Sequence, residues 1–285
     1  MRDTELIHEW LTDDIALTFR ASSPLACIQT PYQQIEVRDT PAFGRVFRLD
    51  GCLMSSEADE FFYHENLIHP AAVSHPNPRK ALVIGGGDGG SVRQLLKYPG
   101  IERIVLAEID GVVIDVALQH FAAIHHGALH DPRVDIQIGD GLAYLTNSHE
   151  QFDLIVLDLT DPQGCALPLY QPAFYASCHQ HLSPNGLLCL HIGSPQFHPQ
   201  RFQASIAVLA QQFSLVRPYL VPIALYGGLW GMLIASRGPD PRALSPEAVE
   251  AILQERGICG LDYYNGDTHR AVFALPNWVQ RLLPA

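Results

Sequence analysis

From about residue 78 the chain alternates apolar runs with helical patterns, and this alternation leaves few folds open to it. KALVIGG, ERIVLAEID, VDIQIGD, QFDLIVLDLT and GLLCLHIG read as strands. SVRQLLKY, VVIDVALQHF, PAFYASCHQHL and RFQASIAVLAQQF, placed between or after them, read as helices. Two more strands, SLVRPYLVP and LWGMLIAS, follow. Apolar strands separated by helices predict a parallel sheet covered on both faces, a doubly wound α/β fold. The start of the chain has another rhythm. QQIEVRD, GRVFRLDG and CLMSSEADE are short, partly alternating runs broken by Pro, Gly and Asp, and they read as hairpin strands. The expected division is a β-strand domain over residues 1–65 and a Rossmann-like domain over 66–285.

Doubly wound sheets bind ligands outside the carboxyl ends of their strands. Four successive strands here each end in an acid. The first ends in GGGDGG with Asp88, the second in Glu108 and Asp110, the third in Asp140 within GDG, and the fourth in Asp158 and Asp161. Gly85, Gly87 and Gly90 satisfy GxGxxG, with Glu108 spaced for a ribose contact. That pattern alone is shared by dinucleotide and S-adenosylmethionine enzymes. Asp88 separates them, because a pyrophosphate over this loop would face a carboxylate at close range. A ligand with a cationic arm suits the loop, Glu108 suits a ribose diol, and Asp140 suits an adenine amine. Asp158 and Asp161 can hold a second cation and help to remove a proton from it.

Composition narrows the partners. The formal net charge is −12, from 18 Lys+Arg against 30 Asp+Glu, which argues against nucleic acid and anionic membranes. No apolar run reaches the roughly 18 residues of a membrane span. MRDTELIHEW carries acids where the apolar part of a signal peptide would be. The six Cys are scattered without a CxxC pair, as reduced thiols in a cytoplasmic protein. His125, His126 and His130 lack ligand spacing and read as a solvated loop, and no metal is expected.

Taken together, GGGDGG, AEID (107–110), GDG (139–141), DLTDPQG (158–164) and YYNGDTHRAVFALP (263–276) resemble the spermidine synthases, or polyamine aminopropyltransferases. RVFRLDG and DEFFYHENLIHP extend the likeness upstream, so that it runs from about residue 32 to the C-terminus. The resemblance implies a methyltransferase-like (Rossmann-like) α/β sheet with a small N-terminal β-domain, assembled as a homodimer or homotetramer. It implies transfer of an aminopropyl group from decarboxylated S-adenosylmethionine, a co-substrate, to a diamine such as putrescine, with no metal or redox cofactor. Carried over by position, Asp161 deprotonates the attacking amine, supported by Asp158 and Tyr63. Gln33, His64, Asp88, Glu108, Asp140 and Gly141 match donor-binding positions. Tyr63, Asp161, Gly164 and Tyr226 match the amine site.

Some residues depart from the family pattern. Leu225 falls where a Tyr contacts the diamine, with Tyr226 one position later; a shift of one residue returns Tyr226 to that role. Met54 and His191 stand where Gln is usual, and Gly164-Cys165-Ala166 replaces a GPA run. These departures point to another amine, such as cadaverine or agmatine, or to a broader acceptor site. Further readings are a donor-binding homologue without turnover and a methyltransferase.

Overall fold

The computed structural model describes residues 4–162 and 164–284. Residues 1–3 of MRDTELIHEW and Gln163 of DLTDPQG lie outside the described residues. The chain opens with an antiparallel hairpin, β1 (Thr4–Thr12) and β2 (Ile15–Ser22). A four-stranded antiparallel meander follows, of β3 (Ala26–Gln29), β4 (Gln34–Thr40), β5 (Gly44–Leu49) and β6 (Cys52–Ser56). The three runs expected as hairpin strands are β4 to β6. The first hairpin gives no clean alternation because it exposes apolar side chains, Leu6 at 61% and Ile15 at 45%.

Helix α1 (Glu60–Ser74) runs across the expected 65/66 boundary. It is buried on nearly every side, which a helix tolerates only if its polar residues find internal partners. They do so here. His69 Nδ1 and Nε2 meet the Tyr98 hydroxyl at 2.8 Å and Gln94 at 3.1 Å. The Tyr219 hydroxyl donates to the Asn66 carbonyl at 2.7 Å.

Beyond α1 the strand–helix alternation takes the expected form. Strand β7 (Lys80–Gly85), α2 (Gly90–Leu96), β8 (Arg103–Glu108), α3 (Gly111–His120), the short α4 (Ala122–His125) and β9 (Val134–Ile138) build one half. Helix α5 (Gly141–Asn147), β10 (Phe152–Asp158), α6 (Pro172–His181), β11 (Leu182–Gly193) and α7 (Pro199–Ala210) build the other. The sheet closes with β12 (Leu215–Ile223) and β13 (Gly228–Ser236), in the order β12-β13-β11-β10-β7-β8-β9. The sheet is mixed rather than wholly parallel, since β13 runs antiparallel to both neighbours. The cause is the short turn between β12 and β13, which can join only antiparallel strands. Strand order reverses between β7 and β10, so the crevice that binds ligands lies over those two strand ends.

Two apolar layers cover the faces of this sheet. A third cluster, Ile35, Val37, Phe47 and Leu49 of the meander against Val113, Val116, Phe121 and Ile124, docks the small sheet onto α3 and α4. That contact hangs the meander over the crevice. No described helix is long and apolar enough to cross a membrane.

The C-terminal segment carries α8 (Pro246–Glu255), α9 (Gly266–Val272) and α10 (Asn277–Gln280). In the YYNGDTHRAVFALP run, Asn265 and Thr268 form a capping box that starts α9. Buried Glu65 of α1 accepts the backbone N–H groups of Asp262, Tyr263 and Tyr264, each at 2.9 Å. Glu65→Ala strands these donors and is expected to lower stability by roughly 3–5 kcal/mol, read from urea unfolding. A change below about 1 kcal/mol would show that water satisfies the segment.

Candidate active site

The glycine loop is built by close approach. Gly85 and Gly86 have positive φ, +76° and +68°. A side-chain carbon at Gly85 would sit 2.2 Å from the Asp158 carbonyl oxygen, so β7 can pass β10 only as glycine. The Gly86 N–H donates to that same oxygen at 2.8 Å. At Gly90 a side-chain carbon would lie 2.2 Å from the His64 ring. The loop is thereby pressed onto α1, and Asp88 is left buried at the turn with Oδ1 accepting the Gly90 N–H at 3.0 Å.

His64, Asp88 and Asp158 converge, their ligand atoms all within 4.8 Å of one another. His64 Nε2 is 3.6 Å from Asp88 and 4.0 Å from Asp158, and Nδ1 is 2.7 Å from Glu60. Burial alone would strip the His64 proton. The Asp88 charge, the Glu60 hydrogen bond and the Asp158 charge outweigh it, and the imidazole is raised to about 9. Asp158 receives the hydroxyls of Ser91, at 2.7 Å, and Tyr63. Burial raises its carboxyl above the ordinary range although the His64 charge pulls the other way.

A cavity of about 750 Å³ joins these residues. Most of the residues expected from sequence line it: Gln33, Tyr63, His64, Asp88, Glu108, Asp140, Gly141, Asp158, Asp161, Gly164 and Tyr226. Glu108, closing β8, is pushed up to about 7 by burial, while its Oε1 accepts the Asp110 N–H at 3.0 Å. Gln33 reaches across from the small sheet, its Nε2 3.3 Å from Asp110. Asp140 caps α5 through the Leu142 N–H at 2.9 Å. Gly141 is fixed by packing, since a side-chain carbon there would meet Ile84 at 2.4 Å. Asp110 turns away from the cavity and caps α3, accepting the Val112 N–H at 3.1 Å.

The departures from the family pattern cluster at the other end. Leu225 does not take the place expected of it. It is buried in the core, with its N–H on Asp59 at 3.0 Å, and Tyr226 faces the cavity instead. The Tyr226 hydroxyl donates to the Met54 carbonyl, and its ring stands 6.2 Å from the Tyr63 ring and 4.8 Å from Trp230. His191 stacks on Trp230 at 5.9 Å. Burial lowers its pKa, so the ring is neutral, and its Nε2 donates to the Leu159 carbonyl at 2.7 Å. Its Nδ1 has no partner among the described residues. Of the three loop histidines, His126 and His130 are exposed as expected. His125 is buried, because Gly89 packs on it.

Glu9 and Arg201 are among the cavity residues that the sequence reading missed. Glu9 enters from β1 and accepts the Leu53 N–H at 2.8 Å; burial raises its carboxyl to about 7, and the Asp161 charge adds to the rise. Period two along β1 puts it on the face of buried Ile7, a signal available in the sequence. Arg201 of α7 lies 2.9 Å from Asp161, and no sequence signal pointed to it.

The His64 proton makes a testable statement about pH. Its value rises from 6.5 to about 9 on folding, so the stability it contributes is fully present below 6.5 and is lost as pH rises through 9. NMR of ring-labelled imidazole is expected to show one histidine, absent in His64→Gln, titrating near 9. A His64 midpoint at or below 6.5 would mean that the acids do not hold the proton.

Comparison with known proteins follows the same lines. The family described as "Spermine/spermidine synthase domain" matches residues 60–242, and that described as "Spermidine synthase tetramerisation domain" matches residues 6–57. A polyamine aminopropyltransferase of Nitrosomonas europaea is 48% identical, covering 96% of this chain and 85% of that protein. Polyamine aminopropyltransferase 2 of Hyperthermus butylicus is 36% identical, covering 97% and 92%. Spermidine synthase from Thermotoga maritima superposes with a TM-score of 0.91 at 34% identity, covering 99% of this chain and 94% of that one. A spermidine synthase in complex with the transition state analogue AdoDATO gives 0.92 at 34% identity, covering 99% and 95%. With its glycine loop, its ring of strand-end acids and these matches over almost its whole length, the chain belongs to the polyamine aminopropyltransferase family, the spermine and spermidine synthases.

Proposed function

We propose that the chain moves the aminopropyl group of decarboxylated S-adenosylmethionine to putrescine, giving spermidine and methylthioadenosine. The observation that carries this reading is buried Asp88, held on the glycine loop with Asp158 nearby. An ammonium arm is stabilised there, whereas the carboxylate of ordinary S-adenosylmethionine would meet buried like charge. A protonated His64 has no lone pair for a metal, which favours an organic cation between these acids. In this reading Glu108 and Gln33 hold the ribose, and Asp140 and Gly141 hold the adenine.

The acceptor amine lies between Tyr63, Tyr226, Gly164 and the two acids Asp158 and Asp161. Asp161 takes a proton from the ammonium and frees its lone pair. The nitrogen attacks the methylene next to the sulfonium; the C–N bond forms, the C–S bond breaks, and its electron pair stays on sulfur. The sulfonium is its own leaving group, so alignment of the two substrates does most of the work. Glu9, at the Asp161 end, faces the far amine of the acceptor. Met54 in the wall and neutral His191 in place of Gln leave fewer donors and acceptors there, which favours a broad acceptor range that includes cadaverine. Copies assemble through the 6–57 region, where Leu6 and Ile15 stand exposed.

Mass spectrometry of the purified protein with decarboxylated S-adenosylmethionine and a panel of amines tests this. Methylthioadenosine and an aminopropylated product are expected, with Asp161→Asn slower by about 10²–10⁴-fold. Asp88→Asn is expected to weaken the decarboxylated donor and narrow its advantage over S-adenosylmethionine. Methyl transfer from S-adenosylmethionine, or donor binding without product for any amine, would overturn the reading. A cadaverine-to-putrescine rate ratio well below one would remove the broad acceptor range alone.

A further inference from the structure

The Asp161 carboxylate stands in an asymmetric setting. Its Oδ2 lies 2.9 Å from Arg201 Nη1, while its Oδ1 is buried without a hydrogen-bond partner among the described residues. The loop that carries it is otherwise held lightly at this point, by the Tyr170 hydroxyl on the Thr160 carbonyl at 2.6 Å. Arg201 comes from the first turn of α7 and reaches the cavity over the end of β11. Its path exists because residue 193 is glycine. Gly193 has φ +76°, and a side-chain carbon there would lie 2.1 Å from Arg201 Nη2 and 2.9 Å from Cζ. The next residue of α7, Phe202, is fully buried against Gly231, which pairs with Gly193 across the sheet. The guanidinium is therefore locked between backbone and Asp161.

We propose that Arg201 is a positioning residue for aminopropyl transfer: it holds one oxygen of Asp161 and so presents the other, Oδ1, to the acceptor amine. This rests on the assignment of Asp161 as the group that takes the amine proton. A carboxylate on a loop samples several rotamers, and misplacing a reacting group by about 1 Å costs on the order of 10²-fold in rate. Arg201 fixes that rotamer from a helix packed into the core. Gly193 belongs to the same device, since it vacates the space the guanidinium crosses.

Steady-state kinetics of Arg201→Met, Arg201→Lys, Gly193→Ala and Asp161→Asn, varying each substrate, test the proposal. R201M is expected to lose about 10²-fold in kcat with the donor KM unchanged, and R201K to recover a large part of it. G193A displaces the guanidinium without removing it and is expected to lower kcat in the same way. The double variant G193A/R201M should be no slower than R201M, because both changes remove one interaction. A wild-type kcat in R201M overturns the proposal. So does a lower acceptor KM without loss of kcat, which would make Arg201 a competitor of the amine for Asp161. Fully additive losses in the double variant would assign Gly193 to backbone shape alone. A near wild-type kcat in D161N would instead remove the assignment of Asp161 itself, whereas a D161N slowed by about 10²–10⁴-fold beside an unaffected R201M removes only the role of Arg201.

Discussion

Buried acids crowded between α1 and the ends of β7 and β10 need cations among them, and His64 is the one they share, with Arg93 on Glu60. Glu60, Asp88 and Asp158 all sit within reach of its imidazole, in a setting where isolated charges of one sign would be expelled. Every close approach around it serves this arrangement. Gly90 lets α2 start against the ring, and Gly85 lets β7 lie flush with β10. With His64 charged and Arg93 Nη2 2.7 Å from Glu60, the cluster holds its acids paired, and Asp88 and Asp158 face the cavity. It can therefore receive a cationic arm while the protein stands unliganded without a large electrostatic penalty.

The small sheet and the C-terminal segment act on the site through α1. Asp59, just before that helix, takes the Ser56 hydroxyl at 2.6 Å and the Leu225 N–H at 3.0 Å, tying the meander to the β12–β13 turn. Met54 in β6 anchors the Tyr226 hydroxyl through its carbonyl oxygen. Glu65 fixes the chain around Tyr263 from the other side of the helix. Tyr63 and His64 thus stand on an element whose two ends and back are all committed. That is how a side chain from outside the large sheet can be held against acids that belong to it.

The Asp161 end of the cavity is less completely satisfied than the glycine-loop end. Asp161 Oδ1, His191 Nδ1, Arg201 Nη2 and Trp230 Nε1 are buried without hydrogen-bond partners among the described residues. Unpaired buried polar atoms are costly, and such groups gather where a ligand completes the network. Here they surround the place where the departures from the family pattern fall. The glycine-loop half is fixed by backbone contact, and the Asp161 half is set by side chains.

The sequence by itself determined the glycine-loop half of the cavity. An apolar strand followed by a glycine loop, repeated acids at strand ends and a helical period between them are local signals, and each maps onto one element at one rim. It also determined the meander of β4 to β6, whose alternation is local too. The hairpin β1–β2 escaped because its outward face is apolar. The antiparallel course of β13 followed from a turn too short for a crossover. The tertiary structure alone decided which of Leu225 and Tyr226 faces the cavity, because both lie in the turn between β12 and β13, whose contacts with Asp59 and the Met54 carbonyl oxygen set the direction of each side chain. It alone brought Glu9 and Arg201, 192 positions apart, to the same Asp161. Contacts between elements distant in sequence leave no periodic trace in either one, so only the packed fold reveals them.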